Sequence, residues 1–329
     1  MKILMTLDYE LFLGKRTGTV KKCLIEPMNA FLNLGEQYGL KFTLFVDASY
    51  LYMLNKLGPE YPNLSDDLDS IKKELLLLQN KGHEIQLHIH PQWYYSTYDG
   101  TSWMLDEVHY KLSDIPINDA IKYFVDSKSL LDDIIGHKTT AFRAGGFSTQ
   151  PTELLIKLFD ATGIKTDASV CPGTWYDSPQ QKYDYRTCTD KALYQFTNNI
   201  CLEEPDGRYT EIPISMFPVS PFFYWKLVWS RIVKTRKHLK LGDGDSVKTT
   251  SDSILVRLTQ KTWAMGTIDG MKISFLNKVM SYNKKKGRDV LCVLGHPKLA
   301  TPYSIKELGN FCKSIKEDDS FVTISELYE

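Results

Sequence analysis

Apolar and polar positions alternate along this chain in blocks, and the blocks change period. Residues 3–8 (ILMTLD) form a continuous apolar run that predicts a strand buried on both faces, as in parallel sheets. A helix is expected over 27–38 with Pro27 in its first turn, then a second buried strand at 42–46 (FTLFV). Ser65-Asp66-Asp67 offers an N-cap for a helix running to about Lys81, with Gly82 as its stop. EIQLHIH at 84–90 alternates as a strand. A helix over 118–135 begins at Asn118 and ends at Gly136; TTAFR at 139–143 is a strand, 151–162 a helix opened by Pro151, and KTDASV at 165–170 a strand. From about 171 to 270 the pattern loosens, with TEIPI at 210–214 standing out as a strand. Regularity returns with a helix near 271–284, the strand VLCVLG at 290–295, a helix near 304–317 and FVTI at 321–324. Strand alternating with helix means βαβ units, hence a parallel sheet or barrel. No repeat and no Pro/Ser-rich linker divides the chain, so one domain over 1–329 is expected, with an elaborated region at 171–270.

Composition narrows the classes. The 329 residues carry 40 basic and 40 acidic side chains, with 43% hydrophobic and 24% charged residues. That is an ordinary globular balance, not a disordered one. Zero net charge argues against a general nucleic-acid binder. The N-terminal apolar stretch breaks at Asp8, too short for a secretory signal, and no run approaches the ~18 apolar residues of a membrane span. Cytoplasmic residence is the expectation. The six cysteines form no CxxC pair, and all six are expected to be reduced.

Chemistry in parallel α/β folds collects at the C-terminal ends of the strands. The first strand ends Asp8-Tyr9-Glu10, and alternation puts Asp8 and Glu10 on one side. The strand at 84–90 ends His88-Ile89-His90-Pro91-Gln92, with His88 and His90 on a shared face. Further strand ends deliver Arg143-Ala144-Gly145-Gly146, Asp167, and Gly295-His296-Pro297. Two histidines and a carboxylate with an open position suit a catalytic divalent metal such as zinc. Each piece has a plainer reading. The HxH can be a core pair, Asp8 and Glu10 a strand-end cap, Gly145-Gly146 and His296-Pro297 turns, and Arg143 with Asp167 an ion pair. Their joint occurrence at strand ends, in order, favours a site.

That order resembles the polysaccharide deacetylase family, the NodB-homology carbohydrate esterases. The resemblance is carried by Thr6-Leu7-Asp8-Tyr9-Glu10, by Gly82-His83-Glu84-Ile85-Gln86-Leu87-His88-Ile89-His90-Pro91-Gln92, by Phe142-Arg143-Ala144-Gly145-Gly146, by Asp167-Ala168-Ser169 and by Leu294-Gly295-His296-Pro297. It implies an α/β fold, a distorted seven-stranded (β/α) barrel of the glycoside hydrolase/deacetylase type, and metal-dependent removal of acetyl groups from acetylated sugars. Carried over by position, Asp8 is the catalytic base, His296 the general acid, Arg143 orients Asp8 and Asp167 tunes His296. The family's second, metal-binding Asp falls on Tyr9 and its second metal histidine on Gln92. Glu10 and His90 are the expected substitutes, giving the ligand set Glu10, His88 and His90, with Asp8 or Gln92 as alternatives and zinc as the expected ion. Tyr9, Gln92, Trp93, Gly145 and Gly146 are the candidate substrate contacts. His83 is expected to cap a turn or support a ligand.

Residues 217–240 gather aromatics (Phe222, Phe223, Tyr224, Trp225, Trp229) and then Arg231, Lys234, Arg236, Lys237 and Lys240 without an acid. The stretch can be an amphipathic helix on an anionic membrane surface, a helix packed over the barrel, or an aromatic wall for sugars. The resemblance points to a cytoplasmic deacetylase of an N-acetylated sugar, lipid- or nucleotide-linked, in the assembly of a surface polysaccharide such as lipopolysaccharide or capsule. The other readings are a sugar-binding protein without catalysis, and a glycoside hydrolase using Asp8 and Asp167.

Overall fold

The computed structural model describes residues 1–225, 228, 236–247 and 251–328, so Trp229, Arg231 and Lys234 of the aromatic and basic stretch lie outside the described residues. The main elements, in chain order, are β1 (Lys2–Tyr9), α1 (Glu26–Tyr38), β2 (Phe42–Asp47), α2 (Ala48–Leu57), α3 (Pro62–Asn80), β3 (Glu84–Ile89), α4 (Ile117–Ile135), β4 (Ala141–Ala144), α5 (Thr152–Thr162), β5 (Thr166–Asp167), β6 (Tyr194–Phe196), β7 (Tyr209–Glu211), β8 (Met216–Val219), β9 (Thr262–Met265), α6 (Leu276–Lys285), β10 (Val290–Gly295), α7 (Pro302–Lys313) and β11 (Ser320–Phe321). The alternation of strand and helix follows the apolar pattern. Two compact units are distinguished: Met1–Phe42 with Ile214–Leu327, and Thr43–Pro213 with the last two residues.

In the first unit β1 runs parallel to β10 from Lys2↔Val290 to Leu7↔Gly295, and its first two residues also pair with β11. β1 is buried from Ile3 onward and β10 throughout, which is why both read as unbroken apolar runs. One step beyond the last ladder pair, the register places Asp8 beside His296. The antiparallel pair β8 and β9 adds Met216↔Met265 to Val219↔Thr262.

In the second unit β2, β3, β4, β5 and β7 pair in parallel in that order, with β6 antiparallel on β7. The ladder aligns Asp47 with His88, His88 with Arg143, and Asp167 with Glu211. Polar residues from successive strand ends are thus set level by main-chain register. Glycines in the left-handed region end α1, α4 and α5 at Gly39, Gly136 and Gly163, of which Gly136 is the stop expected from the sequence.

Several boundaries differ from the sequence reading. The helix α3 starts on Pro62, not after Ser65, because a proline at the first position needs no donor there. α7 starts at Pro302, where Thr301 and Ser304 cap reciprocally. The expected strand 165–170 keeps only Thr166 and Asp167 on the ladder, since beyond them the Ser169 and Val170 amides donate to the Asp167 and Glu211 carboxyls. The cysteines are not all reduced: Cys188 and Cys201 form a disulfide between Cα atoms 4.0 Å apart, whereas Cys23, Cys171, Cys292 and Cys312 are buried thiols. Spacing alone hid the pair, which tertiary packing brings together 13 residues apart.

The second unit also holds a buried ion pair. Lys128 Nζ lies 2.7 Å from Asp132 Oδ2 on α4, while Asp132 Oδ1 accepts from the Thr139 amide (2.8 Å) and hydroxyl (2.9 Å). Asp132 thereby ties α4 to the chain entering β4. Replacing Asp132 by Ala strands a buried ammonium and two donors. The expected loss of unfolding free energy is about 3–5 kcal/mol, measured by urea denaturation; a change below about 1 kcal/mol would show that solvent reaches Lys128.

Candidate functional site

In the first unit, polar side chains gather at the ends of β1 and β10. Asp8 and Glu10 are 3% and 6% exposed and share a side, as alternation requires. Facing them is His296, whose Nε2 lies 3.6 Å from Asp8 Oδ2 and 3.8 Å from Glu10 Oε1. The other ring nitrogen, Nδ1, is bonded to Asp269 Oδ2 at 2.8 Å, and the His296 main-chain N–H donates to Asp269 Oδ1 at 2.9 Å. Burial by itself lowers the pKa of His296, but the Asp269 carboxylate, with smaller contributions from Asp8 and Glu10, overrides it and the net shift is upward. Asp269 moves the other way: burial raises it, and His296 more than offsets that. His296 is thus held at Nδ1 by Asp269, while its Nε2 faces the two carboxylates.

The carboxylate behind His296 is therefore Asp269, not Asp167 as the resemblance implied. Its delivery is a matter of register. Thr267 bridges Leu294 in parallel, and the amides of Ile268 and Leu294 donate across to Leu294 and Gly266 carbonyls at 2.9 Å. Two residues further on, Asp269 and His296 stand side by side. The signal was present: Thr267-Ile268-Asp269 repeats the Thr6-Leu7-Asp8 pattern, but it sits in the stretch whose periodicity is weak. Lys298 was also missed; its Nζ lies 2.7 Å from Glu10 Oε1.

The second unit brings together His88, His90 and Arg143. His88 Nδ1 lies 2.7 Å from the Arg143 carbonyl oxygen. A carbonyl only accepts, so Nδ1 carries a proton, and in the neutral ring Nε2 then holds the lone pair, the tautomer a metal-binding histidine needs. The His90 ring stands 4.8 Å away, at 76° to that of His88. The Ser49 hydroxyl accepts from the main-chain N–H of His90 (2.9 Å). Ser49 in turn donates to Asp47, whose other oxygen accepts from Trp93 Nε1 at 2.8 Å. Asp47 ends the apolar run 42–46 as Asp8 ends 3–8, and it too went unread.

Trp93 is accordingly not a sugar contact. It is fully buried, its indole N–H is engaged by Asp47, and its ring packs on Tyr50 and Trp103. Tyr9 is 2% exposed and likewise offers no surface to a ligand. Gln92 is buried with its Oε1 lacking a hydrogen-bond partner. Gly145 makes room for His90: a Cβ there would fall 2.7 Å from His90 Nδ1 and 2.6 Å from the Ile89 carbonyl oxygen. Gly146 adopts φ +59°, where a side chain is strained.

Arg143 is completely buried, donates from Nε to the Ala168 carbonyl (2.8 Å) and sits 4.3 Å over the Phe45 ring. Asp167 accepts from the Ser169 amide (2.8 Å) and hydroxyl (3.1 Å) and shares a hydrogen bond with the Glu211 carboxyl. Burial raises Asp167 to about 6, against the opposing pull of Glu211, Ser169 and Arg143. Two carboxyls bonded to each other hold one proton between them near that pH.

The donor types fit a divalent metal: Glu10, His88 and His90 are all buried, and His88 is fixed in the ligating tautomer. No protein-family model matches the sequence, and no curated protein matches it significantly. Solved structures do match in fold. A protein described as a polysaccharide deacetylase from Mycobacterium smegmatis superposes with TM-score 0.52 at 13% identity, covering 99% of this chain and 88% of the other. The allantoinase PuuE gives 0.53 at 12% identity, over 99% and 88%. A 4-alpha-glucanotransferase from Thermococcus litoralis gives 0.51 at 13% identity, over 100% of this chain but 40% of its own. At such identities the likeness shows the fold, which is the deacetylase-type (β/α) barrel the motif order implied.

Two outcomes check this geometry. In Asp269→Asn the carboxylate is gone and burial remains, so the His296 pKa should fall below its wild-type value in an NMR pH titration; an unchanged value would remove Asp269 from the site. Gly145→Ala should cost about 1–3 kcal/mol of stability through overpacking and shift the His90 ring resonances. Unmoved His90 signals would show that the ring does not need the space.

Proposed function

We propose that this chain, which has the fold of the polysaccharide deacetylases, is a metal-dependent deacetylase that hydrolyses the acetamido group of an N-acetylated sugar. The observation that carries the reading is His296, gripped by Asp269 and turned toward Asp8 and Glu10. An acid and a base at one strand-end pair are what amide hydrolysis demands.

Glu10, His88 and His90 would hold the metal, and a bound divalent ion supplies Lewis-acid polarisation of the acetyl carbonyl and a more acidic water. Asp8 is the base placed to accept the proton of an attacking water. His296 gives its Nε2 proton to the departing amine nitrogen, and Asp269 stabilises its charged form beforehand. Arg143 is assigned to the orientation of Asp8, and the Asp167–Glu211 pair to the support of Arg143. Zinc is the proposed ion, because its usual nitrogen and oxygen ligands match this set.

The glycoside hydrolase alternative needs Asp8 and Asp167 as a pair flanking a glycosidic bond. Asp167 is already bonded to Ser169 and Glu211, which favours the deacetylase. We read the chain as one barrel domain, with the stretch 171–270 shaping substrate choice. The substrate class extends to a lipid- or nucleotide-linked sugar in surface polysaccharide assembly, in the cytoplasm or at the inner membrane surface. Phe222 and Trp225, at 76% and 54% exposed, lie near the exposed Arg236 and Lys237 in sequence, a composition suited to an anionic membrane surface. Among the described residues no helix is long and apolar enough to cross a membrane.

Purified protein should carry one divalent metal per chain by elemental analysis, lost in Glu10→Ala and His88→Ala. It should release acetate from N-acetylated sugar conjugates, and His296→Ala should lower the rate about 10²–10⁴-fold. A new reducing end without acetate would instead identify a glycosidase; binding with neither product would identify a sugar-binding protein. Reversing Arg236 and Lys237 to Glu should weaken association with anionic liposomes, and unchanged association would end the membrane assignment.

A further inference from the structure

Lys298 takes no part in the acid-base chemistry above, yet it is 6% exposed and built into the end of β1. Its Nζ lies 2.7 Å from Glu10 Oε1 and 2.7 Å from the Leu11 carbonyl, and 5.1 Å over the Phe12 ring. One ammonium therefore contacts three consecutive residues. We propose that Lys298 is a positioning residue for Glu10, fixing this carboxylate in the orientation in which it serves as a metal ligand. The inference rests on the reading of Glu10 as a ligand and deepens it.

The argument begins with chain length. A glutamate has one more side-chain torsion than an aspartate, and ordering it costs more rotamer entropy. The carboxylate expected at position 9 stands here at position 10, on the longer side chain. Without Lys298, Glu10 would regain side-chain freedom and lose the ammonium 2.7 Å from its buried carboxylate. Lys298 answers both needs with a charge-assisted hydrogen bond.

The lysine is itself held. Its main chain lies in the short turn Pro297–Leu299 that follows His296, where Leu299 N donates to His296 O and Ala300 N to Pro297 O, both at 3.0 Å. Residues 241–242 lie against this turn, Leu241 N donating to Ala300 O (2.8 Å) and Gly242 N to Lys298 O (3.2 Å). A Cβ on Gly242 would fall 2.5 Å from Lys298 O and 2.7 Å from Phe12 Cε2, so the packing leaves no space for one. On Phe12 a second lysine, Lys240, sits 3.8 Å from the ring centre. A lysine serving only as a soluble surface charge would have none of these fixings.

The test is metal affinity of the full-length chain, by calorimetric titration with Zn²⁺ and with Co²⁺, alongside circular dichroism melts. Lys298→Met should remain folded and bind each ion about 10–100-fold more weakly than wild type, the range for loss of a group supporting a metal ligand. Lys298→Arg, which keeps the charge and the donors, should recover most of that loss. In a Glu10→Gln background, Lys298→Met should bring no further loss, because the lysine acts through that carboxylate. Should Lys298→Met not fold, Lys298→Gln, which keeps a donor without the charge, gives the same comparison. Wild-type or tighter binding in folded Lys298→Met would overturn the proposal, tighter binding meaning that the lysine competes with the metal. If wild type itself takes up neither ion, the ligand reading of Glu10 fails first and the inference fails with it. Uptake by wild type with an unaffected Lys298→Met defeats the lysine alone.

Discussion

The hydrogen bond from His88 Nδ1 to the Arg143 carbonyl is the constraint on which the second unit's chemistry turns. It decides which imidazole nitrogen carries a proton, and so whether His88 can act as a ligand at all. It exists because β3 and β4 pair with His88 opposite Arg143. A slip of one residue would turn His88 to the opposite face and destroy the tautomer with it. Register thus acts here as a protonation control. The same logic operates in the first unit, where the β1–β10 ladder sets Asp8 beside His296 and the bridge of Thr267 to Leu294 sets Asp269 beside it.

A second layer of residues holds the first. Asp47 and Ser49 fix the strand end that bears His90, with Trp93 locked onto Asp47. Asp269 holds His296, and Lys298 holds Glu10. None of these touches solvent freely, and each supplies a charge or a donor where a lone buried polar group would be costly. Asp167 and Glu211 differ in that they answer one another, two acids side by side on paired strands, with Arg143 contributing a favourable charge to Asp167.

Much of this was legible in the sequence. An apolar run ending in Asp8 located β1, alternation located β3, the segments TTAFR and VLCVLG marked β4 and β10, and strand alternation put Asp8 with Glu10 and His88 with His90. What failed to show has a common cause. Asp269, Asp47 and Lys298 act through partners far away in sequence or just past an element's apparent end, where periodicity carries no information. Asp167 looked like the partner of His296 because it occupies the right place in a motif order; geometry alone reveals Ser169 and Glu211 on it. Trp93 looked like a sugar platform because aromatics near a motif commonly are, and only burial shows its indole turned inward. Cys188 and Cys201 have no sequence signature, since their meeting depends on how the irregular stretch folds back.

The delivery of Asp269 by register has a consequence for how this protein can change. The loops before it, between the short strands β5 to β9, can lengthen at an entropic cost that grows only with the logarithm of their length. Between Gly266 and Asp269 there is no such freedom. A single inserted residue there would carry the carboxylate to the opposite face of its extended run. Variation in length among descendants of this chain is therefore expected in the loops between those strands and not between Gly266 and Asp269, a four-residue ruler that admits no insertion.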